Sequence, residues 1–180
     1  HKAADQGNVI AQFNLALSYF TGEGIPQDYA EAAKWFRKAA DQGMAAAHND
    51  LGACYQEGLG VIKDETEAVK WYRLAADQGD AGAQFNLGAC FRSGNGVTKN
   101  EAQAAIWFRK AAEQGDAKAQ SNLGALYLQG TGVPRDDAEA AKWFRKAAEQ
   151  GNALAQSNLG ALYLQGAGVP RDDAEAAKWS

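Results

Sequence analysis

The tryptophans of this chain are evenly spaced along its length. All five are separated by 36 residues, at Trp35, Trp71, Trp107, Trp143 and Trp179. The same step connects five leucines, at Leu15, Leu51, Leu87, Leu123 and Leu159. A period of about 20 to 50 residues is typical of stacked supersecondary units, because one unit cannot bury its apolar face alone. The spacing therefore predicts a repeat array in place of a single compact globule.

Each repeat carries the pattern of two helices. Ala11, Leu15 and Tyr19 fall four residues apart, which places them on one side of a helix, helix A, over about Val9 to Thr21. Gly22 supplies a left-handed terminator for this helix. Asp28 then begins helix B, and Glu31 three residues later predicts a reciprocal capping box.

Helix B separates small and aromatic residues from charged ones. The packing face carries Ala32, Trp35, Phe36, Ala39 and Ala40, and the opposite face carries Glu31, Lys34, Arg37, Lys38 and Asp41. In helix A, four of the leucines that recur every 36 residues are followed directly by glycine, at Gly52, Gly88, Gly124 and Gly160. Since a glycine inside a helix costs about 0.5 to 1 kcal/mol relative to alanine, its return predicts a close approach between helices.

These boundaries define one array over residues 1–180. Residues 1–7 are read as the end of a preceding helix B, and residues 152–180 as a truncated repeat. The complete repeats are 8–43, 44–79, 80–115 and 116–151. Both ends cut through helix B without a polar capping helix, so association through the ends is one hypothesis for the chain.

The repeat can be written A-x-x-x-L-G-x-x-Y/F-x-x-G-x-G-V/I followed by D/N-x-x-x-A-x-x-W-F/Y-x-x-A-A-x-x-G, and in this form it resembles the Sel1-like repeat family. The resemblance covers essentially the whole chain. It implies an all-α, right-handed α-solenoid of stacked antiparallel helix-turn-helix hairpins, with helix A on the concave side. It also implies an adaptor for protein complexes, in bacterial proteins that are periplasmic or secreted.

Charge and hydropathy disfavour two classes of partner. Lys and Arg total 18 against 22 for Asp and Glu, and the net charge of −4 supplies no field that would attract nucleic acid or anionic lipid. Polar residues interrupt the apolar stretches well before the roughly 18 to 20 residues that a membrane span needs. We therefore expect a soluble chain whose partners include no nucleic acid and no membrane.

The candidate binding residues lie on helix A, opposite its apolar stripe. One row varies between repeats, at Phe13, Asn49, Phe85, Ser121 and Ser157. The row beside it is polar throughout, at Asn14, Asp50, Asn86, Asn122 and Asn158. Asparagine amides can bind an extended peptide backbone, which would leave specificity to the variable row. The alternative is that these amides form hydrogen bonds between helices.

No catalytic, cofactor or metal site is expected. His48 occupies a position that holds glutamine in the other repeats, which indicates a structural substitution. Cys54 and Cys90 occupy equivalent positions on adjacent hairpins, so we expect them too far apart for a disulfide. Some cysteine-rich members of the family are linked to β-lactamase or penicillin-binding activity, but this chain lacks a Ser-x-x-Lys motif.

Two interpretations of function follow. The first is a scaffold that binds a partner protein or peptide in a concave helix-A groove. The second is a structural array that self-associates end to end.

On helix B, recurring Lys and Arg residues could form a basic surface. However, Glu31 lies three residues before Lys34, and Asp41 lies four residues after Arg37. We therefore expect a solvated, internally paired surface there.

Overall fold

The computed structural model describes residues 2–179, and these residues form eleven α-helices and no β-strand. The helices are α1 Lys2–Asp5, α2 Val9–Thr21, α3 Tyr29–Asp41, α4 Ala45–Glu57, α5 Glu65–Asp77, α6 Ala81–Ser93, α7 Glu101–Glu113, α8 Ala117–Gln129, α9 Asp137–Glu149, α10 Ala153–Gln165 and α11 Asp173–Lys178. The predicted bounds of the first helix A, α2, are confirmed. The even-numbered helices correspond to helix A, and α3, α5, α7, α9 and α11 correspond to helix B.

The described helices fall into two compact units. The first contains residues up to Ala83 together with Asn95–Thr98, and in it helices α1 to α5 pack in succession, each on the next. The second contains Gln84–Gly94 and the residues from Lys99 onward, and in it α7 to α11 pack in the same way. Within each unit, consecutive helices are therefore packed in pairs, as the repeat pattern predicted.

Glycines end the first helices as expected. Gly22, Gly58 and Gly130 adopt φ values of 77°, 73° and 67°, the left-handed region that glycine occupies without steric cost. A second loop glycine has a different role. A Cβ on Gly60 would lie 1.9 Å from the carbonyl oxygen of Tyr29, at the start of the preceding helix B. The loop of one hairpin thus packs on the backbone of the hairpin before it.

The second helices are capped, but not by the predicted reciprocal capping box. The Asp28 carboxylate accepts hydrogen bonds from the N–H groups of Ala30 and Glu31 at 2.9 and 3.0 Å. The N–H of Asp28, however, donates to the carbonyl of Tyr19 at 2.9 Å, and Glu31 pairs with Lys34 at 2.6 Å. The glutamate half of the prediction is wrong because the short loop returns this N–H to helix A. The same backbone bond recurs at Asp64, Asn100, Asp136 and Asp172.

Close approach at the helix A glycines is confirmed for three repeats. A Cβ on Gly52, Gly88 or Gly124 would lie 2.7 to 2.9 Å from an aromatic ring of the following helix B. These rings belong to Tyr72, Phe108 and Phe144, which are almost fully buried. The aromatic side chain of each hairpin therefore packs on the glycine of the same hairpin, and a small residue opposite a large one brings the two helices together.

Candidate protein-interaction surface

The predicted binding residues lie on the side of helix A that faces away from the buried leucines; we call this side the helix-A face. In the first unit it is formed by α2 and α4. Asn14 is exposed, whereas Asn49 and Asp50 are half-buried. Phe13 is also half-buried, because its ring packs on Phe36 with 5.8 Å between centroids. This part of the surface therefore combines an apolar base with polar groups.

In the second unit the helix-A face is formed by α6, α8 and α10. Asn86, Asn122 and Asn158 are all half-buried and so partly accessible to solvent. In the neighbouring row Ser157 is exposed but Ser121 is buried, with 8% of its surface accessible. The two rows thus differ in access, and the asparagine row is the more uniform of the two.

Phe85, a member of the variable row, is half-buried. Its ring lies 5.7 Å from that of Phe108, and it packs against the core of the second unit. Truncating Phe85 would therefore remove packing as well as surface. Row position in the sequence could not show this, because the supporting ring comes from helix B.

Asn122 already forms hydrogen bonds with its own chain. Its Nδ2 donates to the carbonyl of Lys118 at 2.9 Å, and its Oδ1 accepts from the guanidinium of Arg92. The Arg92 guanidinium also lies over the Phe108 ring, 5.6 Å from its centroid. Asn122 therefore forms a hydrogen bond between helices, as the alternative interpretation predicted, and its partner is Arg92 on α6. The sequence interpretation did not include Arg92, although its slot varies between repeats as Phe20, Gln56, Arg92, Leu128 and Leu164.

Asp50 occupies the asparagine row with a carboxyl group. Its Oδ1 accepts a hydrogen bond from Asn49 at 3.3 Å. Burial raises the pKa of the Asp50 carboxyl to about 6; the Asn49 hydrogen bond lowers it in part, and the charge of Asp80 adds to the increase. Among residues 2–179, no ion pair includes Asp50. The carboxylate thus lies in the helix-A face without a compensating positive charge.

The basic residues of helix B make contacts within each unit. Lys34 pairs with Glu31, and Lys70 with Glu67 at 2.7 Å, so the predicted pairing three residues apart is confirmed. The predicted match of Arg37 with Asp41 is wrong. Arg37 instead donates to the Tyr55 hydroxyl, and the same contact recurs from Arg109 to Tyr127 and from Arg145 to Tyr163. These arginines tie helix B to the following helix A.

His48 takes a structural role, as its position predicted. In three of the other repeats a buried glutamine accepts from a second glutamine, as Gln120 does from Gln150 at 2.8 Å. His48 lies 3.1 Å from Gln78 through Nδ1 and stacks on Trp71. Burial lowers the pKa of His48, which favours the neutral imidazole that can accept this hydrogen bond.

Cys54 and Cys90 form no disulfide, as expected, and both are buried. Burial raises the pKa of the Cys54 thiol to about 11, with a smaller contribution from the Asp50 charge. Among residues 2–179, no three His, Cys, Asp or Glu side chains form a group that could hold a metal ion. Over the same residues, every helix is too short or too polar to cross a membrane.

Comparison with known proteins identifies the family. The Sel1 repeat model matches residues 9–44, 45–80, 81–116, 117–152 and 153–180. No match was found among curated protein sequences. Among solved structures, the chain is similar to a protective antigen of uropathogenic Escherichia coli that displays an SLR fold, with 44% identity and a TM-score of 0.95.

That alignment covers 98% of this chain but 38% of the antigen, so the chain spans less than half of the antigen's length. A Sel1 repeat protein from Oxalobacter formigenes is 39% identical with a TM-score of 0.90, over 97% of this chain and 72% of that one. Helicobacter pylori cysteine rich protein B is 28% identical with a TM-score of 0.54, over 66% and 90% of the two chains. Five consecutive matches to the repeat, together with these structural neighbours, show that the chain belongs to the Sel1 repeat family.

Proposed function

We propose that this chain is a protein-interaction scaffold that binds a partner protein through its helix-A face. Sel1 repeat solenoids commonly serve as scaffolds for protein interactions. The observation that carries the proposal is the contrast between a constant frame and a varied surface. In the second unit, Leu87, Leu123 and Leu159 are fully buried at the same repeat position. Two residues before each of them the chain has the half-buried Phe85, the buried Ser121 and the exposed Ser157, so this row varies in chemistry and in solvent access.

The asparagine row supplies the polar part of this surface. Asn86, Asn122 and Asn158 recur once per hairpin and are partly accessible in the second unit. Their amides can both donate to and accept from the backbone of a bound segment. Asn122 retains a second lone pair on Oδ1 beyond the one that Arg92 uses, so its own-chain contacts do not exhaust it.

The test is a triple variant, Asn86→Ala, Asn122→Ala and Asn158→Ala. A net hydrogen bond contributes about 0.5 to 1.5 kcal/mol, so loss of three should raise the Kd for the partner at least about tenfold. The partner is isolated from the native host with the chain as bait, purified, and titrated by calorimetry. The helical circular dichroism signal should be retained, because alanine is the best helix former.

A matched control uses the same unit and the same 36-residue spacing on helix B. Ile106→Ala, Lys142→Ala and Lys178→Ala change three exposed residues, and the Kd should stay within about twofold. Unchanged affinity in the asparagine variant would move the binding surface elsewhere. Light scattering across concentration tests the self-assembly alternative: a constant mass supports the scaffold, and open-ended growth supports the array.

A further inference from the structure

A small pocket opens on the helix-A face of the first unit. It lies between α2 and α4, has a volume of about 120 Å³, and is lined by Leu17, Phe20, Phe36, Asp50 and Ala53. Pockets for drug-sized ligands usually span about 300 to 1,000 Å³. This pocket therefore has room for one side-chain head group and not for a small-molecule cofactor.

The walls of the pocket have a specific chemistry. Phe20 and Phe36 pack with 6.1 Å between their centroids and 62° between their planes, so both rings border one space. Asp50 adds a carboxyl group, which accepts a hydrogen bond from Asn49. A carboxylate beside aromatic rings is the combination that attracts a cation, through charge-assisted hydrogen bonds and cation–π contact.

The equivalent site in the second unit already contains a cation from the chain itself. Phe108 and Asn122 lie 72 residues after Phe36 and Asp50, and so occupy the same positions in the repeat. There the guanidinium of Arg92 lies over the Phe108 ring and donates to Asn122. Since Arg92 corresponds to Phe20, the first unit has a phenylalanine where the second has its own guanidinium.

The pocket in the first unit thus has two features that the equivalent site in the second unit lacks. A second aromatic ring borders it, and its polar group is a carboxylate in place of a neutral amide. Desolvation raises the pKa of Asp50, and the nearby Asp80 adds negative charge, so an external cation would meet an uncompensated negative site. Guanidinium fits this site better than ammonium, because its planar fork pairs with carboxylate and stacks on aromatic rings.

We propose that the pocket between α2 and α4 accepts an arginine side chain of a partner protein, with its guanidinium paired to Asp50 and packed against Phe20 and Phe36. This inference rests on the proposed function, because it assumes that partners contact the helix-A face. It adds the chemistry that one partner residue must have.

The probes are two peptides, acetyl-Gly-Arg-Gly-amide and the same peptide with citrulline, which keeps the shape of arginine and removes its charge. Binding to the isotope-labelled chain is followed by NMR shifts of the Leu17, Phe20, Asp50 and Ala53 signals. The arginine peptide should bind at least about tenfold more tightly than the citrulline peptide. The Asp50→Asn variant, which carries the residue found in the other four repeats, should reduce that ratio to about one.

A gain-of-function variant provides an independent test. The double variant Arg92→Phe with Asn122→Asp places the ring and the carboxylate of the first unit's pocket at the equivalent site in the second unit, beside Phe108. The arginine peptide should then also shift the signals of Ala89 and Ala125, as it does not in the unchanged chain.

The inference is overturned by equal binding of the arginine and citrulline peptides, or by full binding of the arginine peptide to the Asp50→Asn variant. Absence of any arginine-dependent shift at the four pocket residues also overturns it. These results would leave the scaffold proposal intact as long as the triple asparagine variant still binds the purified partner more weakly than the unchanged chain does. If that variant binds the partner with unchanged affinity while the arginine peptide binds in the pocket, the proposed role of the asparagine row is wrong and the arginine pocket is supported.

Discussion

The Asp50→Asn substitution should make the protein more stable at neutral pH. The folded chain keeps the Asp50 carboxyl half-buried without a positive partner, and its pKa is raised from 3.8 to about 6. Asparagine is the residue at the equivalent positions Asn14, Asn86, Asn122 and Asn158, so the frame accommodates it without change. The substitution removes a charge that folding desolvates and leaves the shape of the side chain nearly constant.

The magnitude follows from the pKa. One pKa unit corresponds to 1.36 kcal/mol, so a shift of roughly two units is worth about 3 kcal/mol at most. Solvent still reaches part of the Asp50 carboxyl, which reduces this to about 1 to 2 kcal/mol. Because the folded pKa lies above the unfolded one, the folded chain binds more protons between pH 4 and 6, and its stability falls as the pH rises through that range.

Urea unfolding followed by circular dichroism between pH 3.5 and 7.5 measures the effect. The variant should gain about 1 to 2 kcal/mol at pH 7.5 and almost nothing near pH 3.5. Asn122→Asp is the control, because its new carboxylate would lie beside Arg92 and should cost no stability at neutral pH. A gain that does not vary with pH, or a loss at pH 7.5, would refute the desolvation argument for Asp50.

Two further substitutions test the core of the second unit. Trp107→Ala should lower the free energy of unfolding by about 3 to 5 kcal/mol, because the ring is 6% exposed; a cost below about 1 kcal/mol in urea unfolding would mean that it does not pack. Gly124→Ala should cost about 1 to 3 kcal/mol, because its Cβ would lie 2.9 Å from the buried Phe144 ring. Adding Phe144→Leu should recover part of that loss, and a stabilising Gly124→Ala would contradict the close packing.

The expected stability cost of Asp50 bears directly on function. Stabilising substitutions often cost function, because functional sites can retain features that lower the free energy of unfolding. Asp50 alone in its row differs from asparagine. Its expected destabilising effect and its place in an aromatic pocket support the same proposal, that a partner supplies the missing positive charge.

Local sequence was sufficient to predict the elements and their pairing. The bounds of α2 were predicted from the spacing of Ala11, Leu15 and Tyr19 and from the terminating Gly22, since both signals act within a few residues. The close approach at Gly52, Gly88 and Gly124 was also expected, because only a steric requirement repays the cost of glycine inside a helix.

The partners of individual polar and aromatic side chains on neighbouring helices could not be predicted from the repeat pattern. Arg37 bonds Tyr55 and not Asp41, Phe85 packs on Phe108, and Arg92 reaches Asn122. Each pair is separated by 18 to 30 residues, so its contact depends on how two helices pack together.

The contrast is clearest at Asp50. The sequence placed it correctly in a row with four asparagines, since that needs only the 36-residue period. Its raised pKa and its pocket required the tertiary structure. Phe20 from α2 and Phe36 from α3 line the pocket with Asp50, and the pKa depends on burial and on the nearby charge of Asp80. Periodicity determines which residues share a face, whereas packing determines how much water and charge surround each of them.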